Sequence, residues 1–184
     1  FRMRAHADVP RWIDAFCQRR LLPLPAAQSF DFRVFGDAQT LYEAICQHES
    51  RVGLCRMLAT YDYPYVLDGQ DHFITEGRFH LRWDRSLPEA RLPWAERADT
   101  IDEVGSVYTV QGFDLNYVGI ILGPSVDYDA TTDRIPLDVS CYEDRAAFAG
   151  KTRTDAPSAP GEPILLYPPP FLVPRPTPGL SQLA

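Results

Sequence analysis

The sequence lacks the motifs of several common catalytic and membrane-bound classes of protein. It has no phosphate-binding loop of the form G-x-x-x-x-G-K followed by Ser or Thr, so this chain on its own should not hydrolyse ATP. It has no G-x-S-x-G motif and no cysteine in a protease-like context, which disfavours a serine hydrolase or a cysteine protease. No apolar run approaches the roughly 18 residues of a membrane span, and no signal peptide is visible. We therefore expect a cytoplasmic protein without membrane contact.

Cysteine and histidine are too scattered to predict a metal site. The four cysteines lie far apart and include no C-x-x-C pair, so reduced thiols are expected. His72 and His80 are eight residues apart, with no acidic or cysteine partner in a metal-ligand pattern. His48 lies at helical spacing with apolar neighbours, which is more typical of a helix face than of a ligand. No metal ligand is predicted.

Basic residues are also few. The chain has 18 Lys and Arg against 25 Asp and Glu, a net charge of −7, and no long basic run. Because nucleic-acid affinity comes largely from Lys and Arg on phosphates, such a domain should bind nucleic acid poorly by itself. It could still supply one wall of a groove that another domain completes.

Length and composition predict one globular domain followed by a tail. The 184 residues are 45% hydrophobic, which allows a real core within residues 1–150. Nine of the seventeen prolines fall in residues 156–184, and proline blocks both helices and central strands. We expect residues 151–184 to be extended or disordered, with a docked segment or a polyproline ligand as alternatives. Since the chain begins at Phe1 rather than Met, it is expected to be a fragment or a processed form.

Hydrophobic patterning predicts alternating helices and strands, and hence an α/β fold with a parallel sheet. Two amphipathic helices are expected, over residues 8–20 and from an Asp37 cap to about residue 49. Strands are expected at 30–35, within 51–60, and at 78–83, 104–108, 117–122 and 134–139. Residues 68–77 and 85–98 are expected to be connections.

The stretch at 104–123 combines two apolar runs with a polar turn at 109–116. The second run, Y-V-G-I-I-L, is apolar at nearly every position, which suits a strand buried on both faces. In α/β sheets, ligands bind where such strands end. The residues alone favour an ordinary connection, with Gly112 supplying a positive φ and Asp114 acting as a cap.

This stretch resembles motif V of superfamily 1 helicases, in the form seen in the Schlafen-like (group 3) DNA/RNA helicase domain family. The matching positions are Tyr108, Thr109, Gln111, Gly112, Phe113, Asp114, Tyr117, Gly119 and Gly123. The resemblance covers roughly residues 1–140. It implies a RecA-like second lobe: a parallel sheet flanked by helices, with ATP and Mg²⁺ held between this lobe and a missing N-terminal lobe that carries the phosphate-binding loop.

The resemblance also implies roles for individual residues. Asp114 would accept a hydrogen bond from the ribose hydroxyl, and Gly112 would let the main chain approach the nucleotide. Gln111 would couple the nucleotide site to the nucleic-acid site. Tyr108 and Thr109 would face the backbone of a single-stranded nucleic acid, either DNA or RNA.

A catalytic arginine is implied near the start of the chain. The run F-R-M-R resembles the end of helicase motif IV, and Arg2 would then reach the nucleotide phosphates, with Arg4 as a rival. The family's motif VI, with its further arginine, has no counterpart here. A non-catalytic RecA-like protein-interaction module is therefore the alternative function. Clustered aromatics at 61–65, Y-D-Y-P-Y, predict either base stacking or a packed turn.

Overall fold

The computed structural model describes residues 8–25, 31–65, 70–85, 87 and 89–144, which build an α/β fold around a five-stranded sheet. Its helices are α1 (Asp8–Cys17) and α2 (Ala38–Val52). Its strands are β1 (Cys55–Ala59), β2 (His72–Glu76), β3 (Phe79–Trp83), β4 (Glu103–Gly105) and β5 (Tyr117–Ile121). Two short 3₁₀ turns, Trp94–Glu96 and Ala98–Asp102, precede β4.

The sheet is mostly parallel, as the sequence predicts. Its strand order is β2-β3-β4-β1-β5. Strand β1 pairs in parallel with both β4 and β5, and β3 pairs in parallel with β4. Only the β2–β3 hairpin is antiparallel. Four of the five strands therefore end at the same edge, which we call the carboxyl edge.

Strand β1 is the centre of the core because all five of its residues are buried. Successive side chains of a strand point to opposite faces of the sheet. Met57 packs in the cluster under α2 with Ile45 and Val104. Leu58 packs on the opposite face with Trp94 and other side chains of the later connections.

Helix α2 begins at its predicted cap. Asp37 has extended backbone angles, and its carboxylate accepts hydrogen bonds from the Thr40 backbone N–H at 2.8 Å and hydroxyl at 2.7 Å. At the other end, Glu49 accepts a 2.7 Å hydrogen bond from the backbone N–H of Cys55. The helix end is thus fastened to the first residue of β1.

Within the described residues, the opposite face of the sheet is covered by 3₁₀ turns and irregular chain rather than by an α-helix. Trp94 is buried there, and its indole N–H donates to the buried Glu103 carboxylate at 2.9 Å. Arg56, also on this face, donates to the Thr100 hydroxyl at 2.9 Å and to the Arg97 carbonyl at 2.7 Å. Buried charges cost free energy unless they are paired, and the charges of Arg56 and Glu103 are both paired.

Outside the stretch at 104–116, four local predictions were wrong. Helix α1 ends at Cys17 instead of residue 20, because Arg19 takes a left-handed φ of 61°. Residues 31–35 form no strand; Phe32 packs on Trp12 of α1, with ring centroids 4.7 Å apart. Residues 72–76, expected as a loop, are β2, which joins β3 through a two-residue turn. Residues 134–139 make only isolated bridges, at Arg134 and Leu137.

Other predictions fall partly outside the described residues. Residues 1–7, with Arg2 and Arg4, and the tail 151–184 are not described, so the proposed boundary at 150 stays a prediction. Among the described residues, no helix has both the length and the apolar character needed to cross a membrane.

A close approach between helix and sheet generates the first testable prediction. A Cβ on Gly119 of β5 would lie 2.6 Å from the Met57 sulfur and 2.9 Å from Cγ1 of Ile45. Gly119→Ala should therefore lower the free energy of unfolding by about 1–3 kcal/mol through overpacking. The measurement is the urea unfolding curve. Gly36→Ala is the control, because no atom lies within 4 Å of its Cβ position; equal losses in both variants would contradict the packing account.

Candidate functional site

The carboxyl edge gathers polar side chains from four different strand ends. Asp84 follows β3, Ser106 follows β4, Asp62 lies three residues after β1, and Ser125 lies four residues after β5. All four are buried, at 0–7% exposure. Ligands bind at this edge in open α/β sheets, so it is the first place to look for a site.

Asp62 ties the ends of β1 and β5 together. Its Oδ2 accepts hydrogen bonds from the Ser125 N–H at 3.0 Å, the Ser125 hydroxyl at 2.9 Å and the Thr60 hydroxyl at 2.9 Å. The Thr60 hydroxyl in turn accepts from the Gly123 N–H at 2.7 Å. The other carboxylate oxygen of Asp62 is buried without a hydrogen-bond partner.

Asp84 has the same position at the end of β3. Its backbone takes a left-handed φ of 41°, and its N–H donates to the Val104 carbonyl at 2.8 Å. Burial raises the pKa of the Asp84 carboxyl, and hydrogen bonds from Ser106 and Thr109 offset only part of that rise. One of its oxygens is also buried without a partner.

The predicted strand at 104–108 stops early, because the chain turns at Ser106. The Ser106 carbonyl accepts from the backbone N–H groups of Thr109, at 3.2 Å, and Val110, at 3.3 Å. The Thr109 hydroxyl donates to this carbonyl at 2.9 Å and accepts from the Ser106 N–H at 2.7 Å. The Thr109 hydroxyl, predicted to face nucleic acid, is thus engaged in holding the turn.

Tyr108 projects from this turn and is 55% exposed. Its hydroxyl donates to the Asp144 carboxylate. This hydrogen bond, together with desolvation, raises the pKa of Tyr108 to about 12. The Tyr108 ring packs edge-on against Tyr61, with centroids 5.6 Å apart and planes at 87°.

Tyr61 is the centre of an aromatic cluster at the carboxyl edge. It is buried and contacts four other rings at centroid distances of 5.6–6.4 Å: Tyr65, Trp83, Tyr108 and Tyr142. Tyr63 contacts Trp83 at 5.5 Å. The Y-D-Y-P-Y run therefore forms a packed turn, as one of the two alternatives predicts. Its exposed Tyr65 contacts Tyr61, the ring that Tyr108 also contacts.

From this turn the chain crosses the sheet to its opposite edge. Val110 and Leu115 are buried against the face that carries Leu58. The crossing ends where the Asn116 side chain donates to the carbonyls of Val52, at 3.1 Å, and Gly53, at 2.9 Å. These two residues lie just before β1, at the amino end of the sheet.

The three residues predicted to bind nucleotide lie within this crossing. Gln111, Gly112 and Asp114 are exposed. Gly112 has the predicted positive φ, 87°. Asp114 caps no helix, because β5 follows directly, so that alternative was wrong. The structure brings Tyr108 and Thr109 together with Asp84 at the carboxyl edge, and places the other three farther along the crossing.

Comparison with known proteins identifies the family. Residues 1–163 match the Schlafen group 3, DNA/RNA helicase domain. The chain belongs to this family. It is also 46% identical over 166 residues to an uncharacterized protein of Saccharomyces cerevisiae, covering 82% of this chain and 37% of that relative. No solved structure matches the chain.

The described carboxyl edge of this domain is acidic. Asp62, Asp84 and Asp144 lie there, while the nearby Arg85 pairs with Asp71 at 3.4 Å. Arg2, the predicted phosphate ligand, lies outside the described residues. Among the described residues, no group of three or more His, Cys, Asp or Glu side chains is placed to hold a metal ion.

Sequence reasoning missed the buried acids of this edge. In the sequence-based predictions, Asp62 is included only within an aromatic run, and Asp84 is not singled out. The sequence contains a usable signal: each acid follows within three residues of a predicted strand, where parallel strand ends meet. Its partner could not be inferred, since Asp62 and Ser125 are 63 residues apart.

The buried carboxyl of Asp84 generates a prediction about pH. Its folded pKa is raised above the unfolded value near 3.9, so folding is penalised once the unfolded chain loses this proton. Wild type should therefore lose stability relative to Asp84→Asn as pH rises from about 4 through the folded pKa. The measurement is the difference in free energy of unfolding between the two proteins from pH 3.5 to 7.5.

Asp99→Asn is the matched control for this experiment. The Asp99 carboxylate is exposed, and its hydrogen bonds with the Arg97 side chain lower its pKa. Its contribution to stability is present above the unfolded pKa and is lost as pH falls through the lower folded value. As pH rises, the stability difference between wild type and Asp84→Asn and that between wild type and Asp99→Asn should therefore change in opposite directions. A pH-independent difference for Asp84→Asn would contradict the conclusion that burial raises the pKa of this carboxyl.

Proposed function

We propose that this chain is the second, RecA-like lobe of an ATP-dependent helicase or a nucleic-acid-stimulated ATPase. The observation that carries the proposal is the family match together with the position of its motif V turn, which leaves the carboxyl edge of a parallel sheet. The phosphate-binding loop would come from another lobe of a longer protein. The chain spans 37% of its yeast relative, which leaves room for such a lobe.

The proposed nucleotide contacts come from the exposed part of the crossing. Gly112 has no atom within 4 Å of its Cβ position, so the main chain there is open to a ligand. Asp114 would accept a hydrogen bond from the ribose, and Gln111 would connect this contact to the turn at Thr109. ATP and Mg²⁺ would bind only when the other lobe is present.

Charge sets a condition on this proposal. The described carboxyl edge contains the acids Asp62 and Asp84, and the nearby Arg85 is paired with Asp71. Affinity for ATP and for nucleic acid must then come from arginines elsewhere: Arg2 in this chain and further residues of the other lobe. In phosphoryl transfer, an arginine supplied across a cleft is worth about 10³–10⁵ in rate. Lobe closure on ATP would move Tyr108 and Thr109, which couples hydrolysis to the nucleic acid.

One observation favours the alternative, a non-catalytic interaction module. An apolar groove of about 770 Å³ runs between α1, α2 and β5. Five of its lining side chains are large, apolar and exposed: Leu21, Leu24, Val34, Leu122 and Tyr128. Exposed apolar surface of this kind marks contact surfaces on soluble domains. A helicase lobe that docks on the remainder of its own chain would also have an exposed apolar surface.

ATP hydrolysis by the N-terminally extended protein tests the proposed motor. We expect turnover that single-stranded DNA or RNA stimulates. Arg2→Ala should lower it by about 10³-fold or more, because a phosphate contact is lost in the transition state. Asp114→Ala should chiefly raise KM for ATP, because a ribose contact is made equally in the ground state.

The control is Glu43→Ala, which removes an exposed acid on α2 away from the carboxyl edge. It should leave both kinetic parameters unchanged. Turnover absent from the extended wild type, or unaffected by both site substitutions, would exclude the motor and favour the interaction module.

A further inference from the structure

We infer that Tyr108 contacts nucleic acid through its ring rather than its hydroxyl, and that Tyr108 and Tyr65 together form a surface on which unpaired bases stack. The inference rests on the proposed nucleic-acid binding and specifies its chemistry. It replaces the expected contact between Tyr108 and the phosphate backbone with a contact to the bases of a single strand.

Two rings of the aromatic cluster are exposed to solvent. Tyr108 is 55% exposed and Tyr65 is 38% exposed, so both offer ring surface to a ligand. The other rings of the cluster are more buried; Tyr61 and Trp83 lie in the core. The accessible aromatic surface at this edge is thus concentrated on Tyr65 and Tyr108 within the described residues.

The two exposed rings are held in place by the buried part of the cluster. Both exposed rings pack against the same buried ring, Tyr61, at centroid distances of 6.1 Å for Tyr65 and 5.6 Å for Tyr108. Tyr61 is itself held by Trp83 at 5.6 Å. Tyr108 packs edge-to-face on Tyr61, at 87°, and Tyr65 packs tilted, at 53°. Such packing restricts ring orientation, so stacking a base here costs little further side-chain entropy.

The Tyr108 hydroxyl already has a hydrogen-bond partner. Its proton is donated to the Asp144 carboxylate, so it is already used and not offered to a phosphate oxygen. The carboxylate at the rim of the ring also repels a phosphate group placed beside it. A backbone contact through this hydroxyl would break one charge-assisted hydrogen bond and bring two negative groups together.

A second acid lies at the same edge. The Asp62 carboxylate, which accepts hydrogen bonds from Ser125 and Thr60, adds negative charge there. A nucleobase is neutral, and every base has a π-face, so stacking tolerates this field where a phosphate does not. Duplex bases are already stacked on one another, which makes a single strand the suitable ligand.

Equilibrium binding by the N-terminally extended protein tests the inference. The probes are a fluorescent 12-nucleotide single strand and the same strand with abasic sites. Tyr108→Ala and Tyr65→Ala should each weaken binding of the intact strand by about 5- to 150-fold, the effect of losing one base–aromatic stack. Tyr108→Phe should stay within about twofold of wild type, because it keeps the ring.

Tyr128→Ala is the matched control. Tyr128 is also exposed, and its hydroxyl likewise contacts an aspartate, Asp133, at 2.9 Å, but it lies in the apolar groove. The Tyr128→Ala variant should bind the intact strand like wild type. The abasic strand gives a measurement that needs no variant: wild type should bind it more weakly than the intact strand.

The outcomes separate the inference from the proposed function. Equal weakening by Tyr108→Phe and Tyr108→Ala would overturn the inference in favour of a hydroxyl contact with the backbone. Normal binding by both alanine variants, or equal affinity of wild type for the abasic strand, would overturn it and leave nucleic-acid binding intact. A wild type that binds neither strand, but does bind an arginine-rich peptide at this acidic aromatic edge, would overturn both.

Discussion

The burial of β1 on both faces and along both edges is the constraint on which the rest of the molecule depends. A strand in this position needs a parallel neighbour on each side and an apolar layer above and below. Strands β4 and β5 supply the neighbours, and α2 supplies one layer. The carboxyl edge follows from this arrangement, because parallel pairing brings the ends of β1, β3, β4 and β5 together.

The second apolar layer is unusual in being built from connections. The chain before β4 and the chain between β4 and β5 both run across this face, and Trp94, Val110 and Leu115 fill it. Irregular chain has no regular hydrogen-bonding pattern of its own, so it needs side-chain partners. Glu103, Arg56 and Thr100 provide them within the core. The motif V turn is therefore held on a rigid base, and its exposed part is limited to a few residues.

Sequence patterning predicted the elements whose signal is local. Strand β1 has a mainly apolar run, and the Asp37 cap lies directly before a helical pattern. The β2 strand was missed because its run, H-F-I-T-E, is short and half polar, and its stability comes from pairing with β3. The strand predicted at 30–35 has clear alternation, but Phe32 finds its apolar contact in α1 instead of in a sheet. Tertiary packing overrides local preference in both cases.

Motif resemblance indicates the stretch after β4, and that its residues bind a ligand stays a prediction. The structure places residues 106–109 of this stretch at the carboxyl edge, and Gln111, Gly112 and Asp114 farther along the crossing. The contacts that decide what the turn can bind are long-range: Tyr108 meets Asp144 across 36 residues, and Asp62 meets Ser125 across 63. No local pattern records such pairs.

The acidity of this edge is compatible with a helicase lobe if its two tasks are divided. Phosphates are best held by arginines that come from outside the described edge, since carboxylates near a phosphate weaken its binding. Bases are best held by rigid rings, which Tyr61 orients here. In such a division, the acids are useful because they keep the backbone away from the rings and leave the bases as the only part of the strand that can approach them. The same charge that disfavours independent nucleic-acid binding would thereby set the orientation of the strand on this lobe.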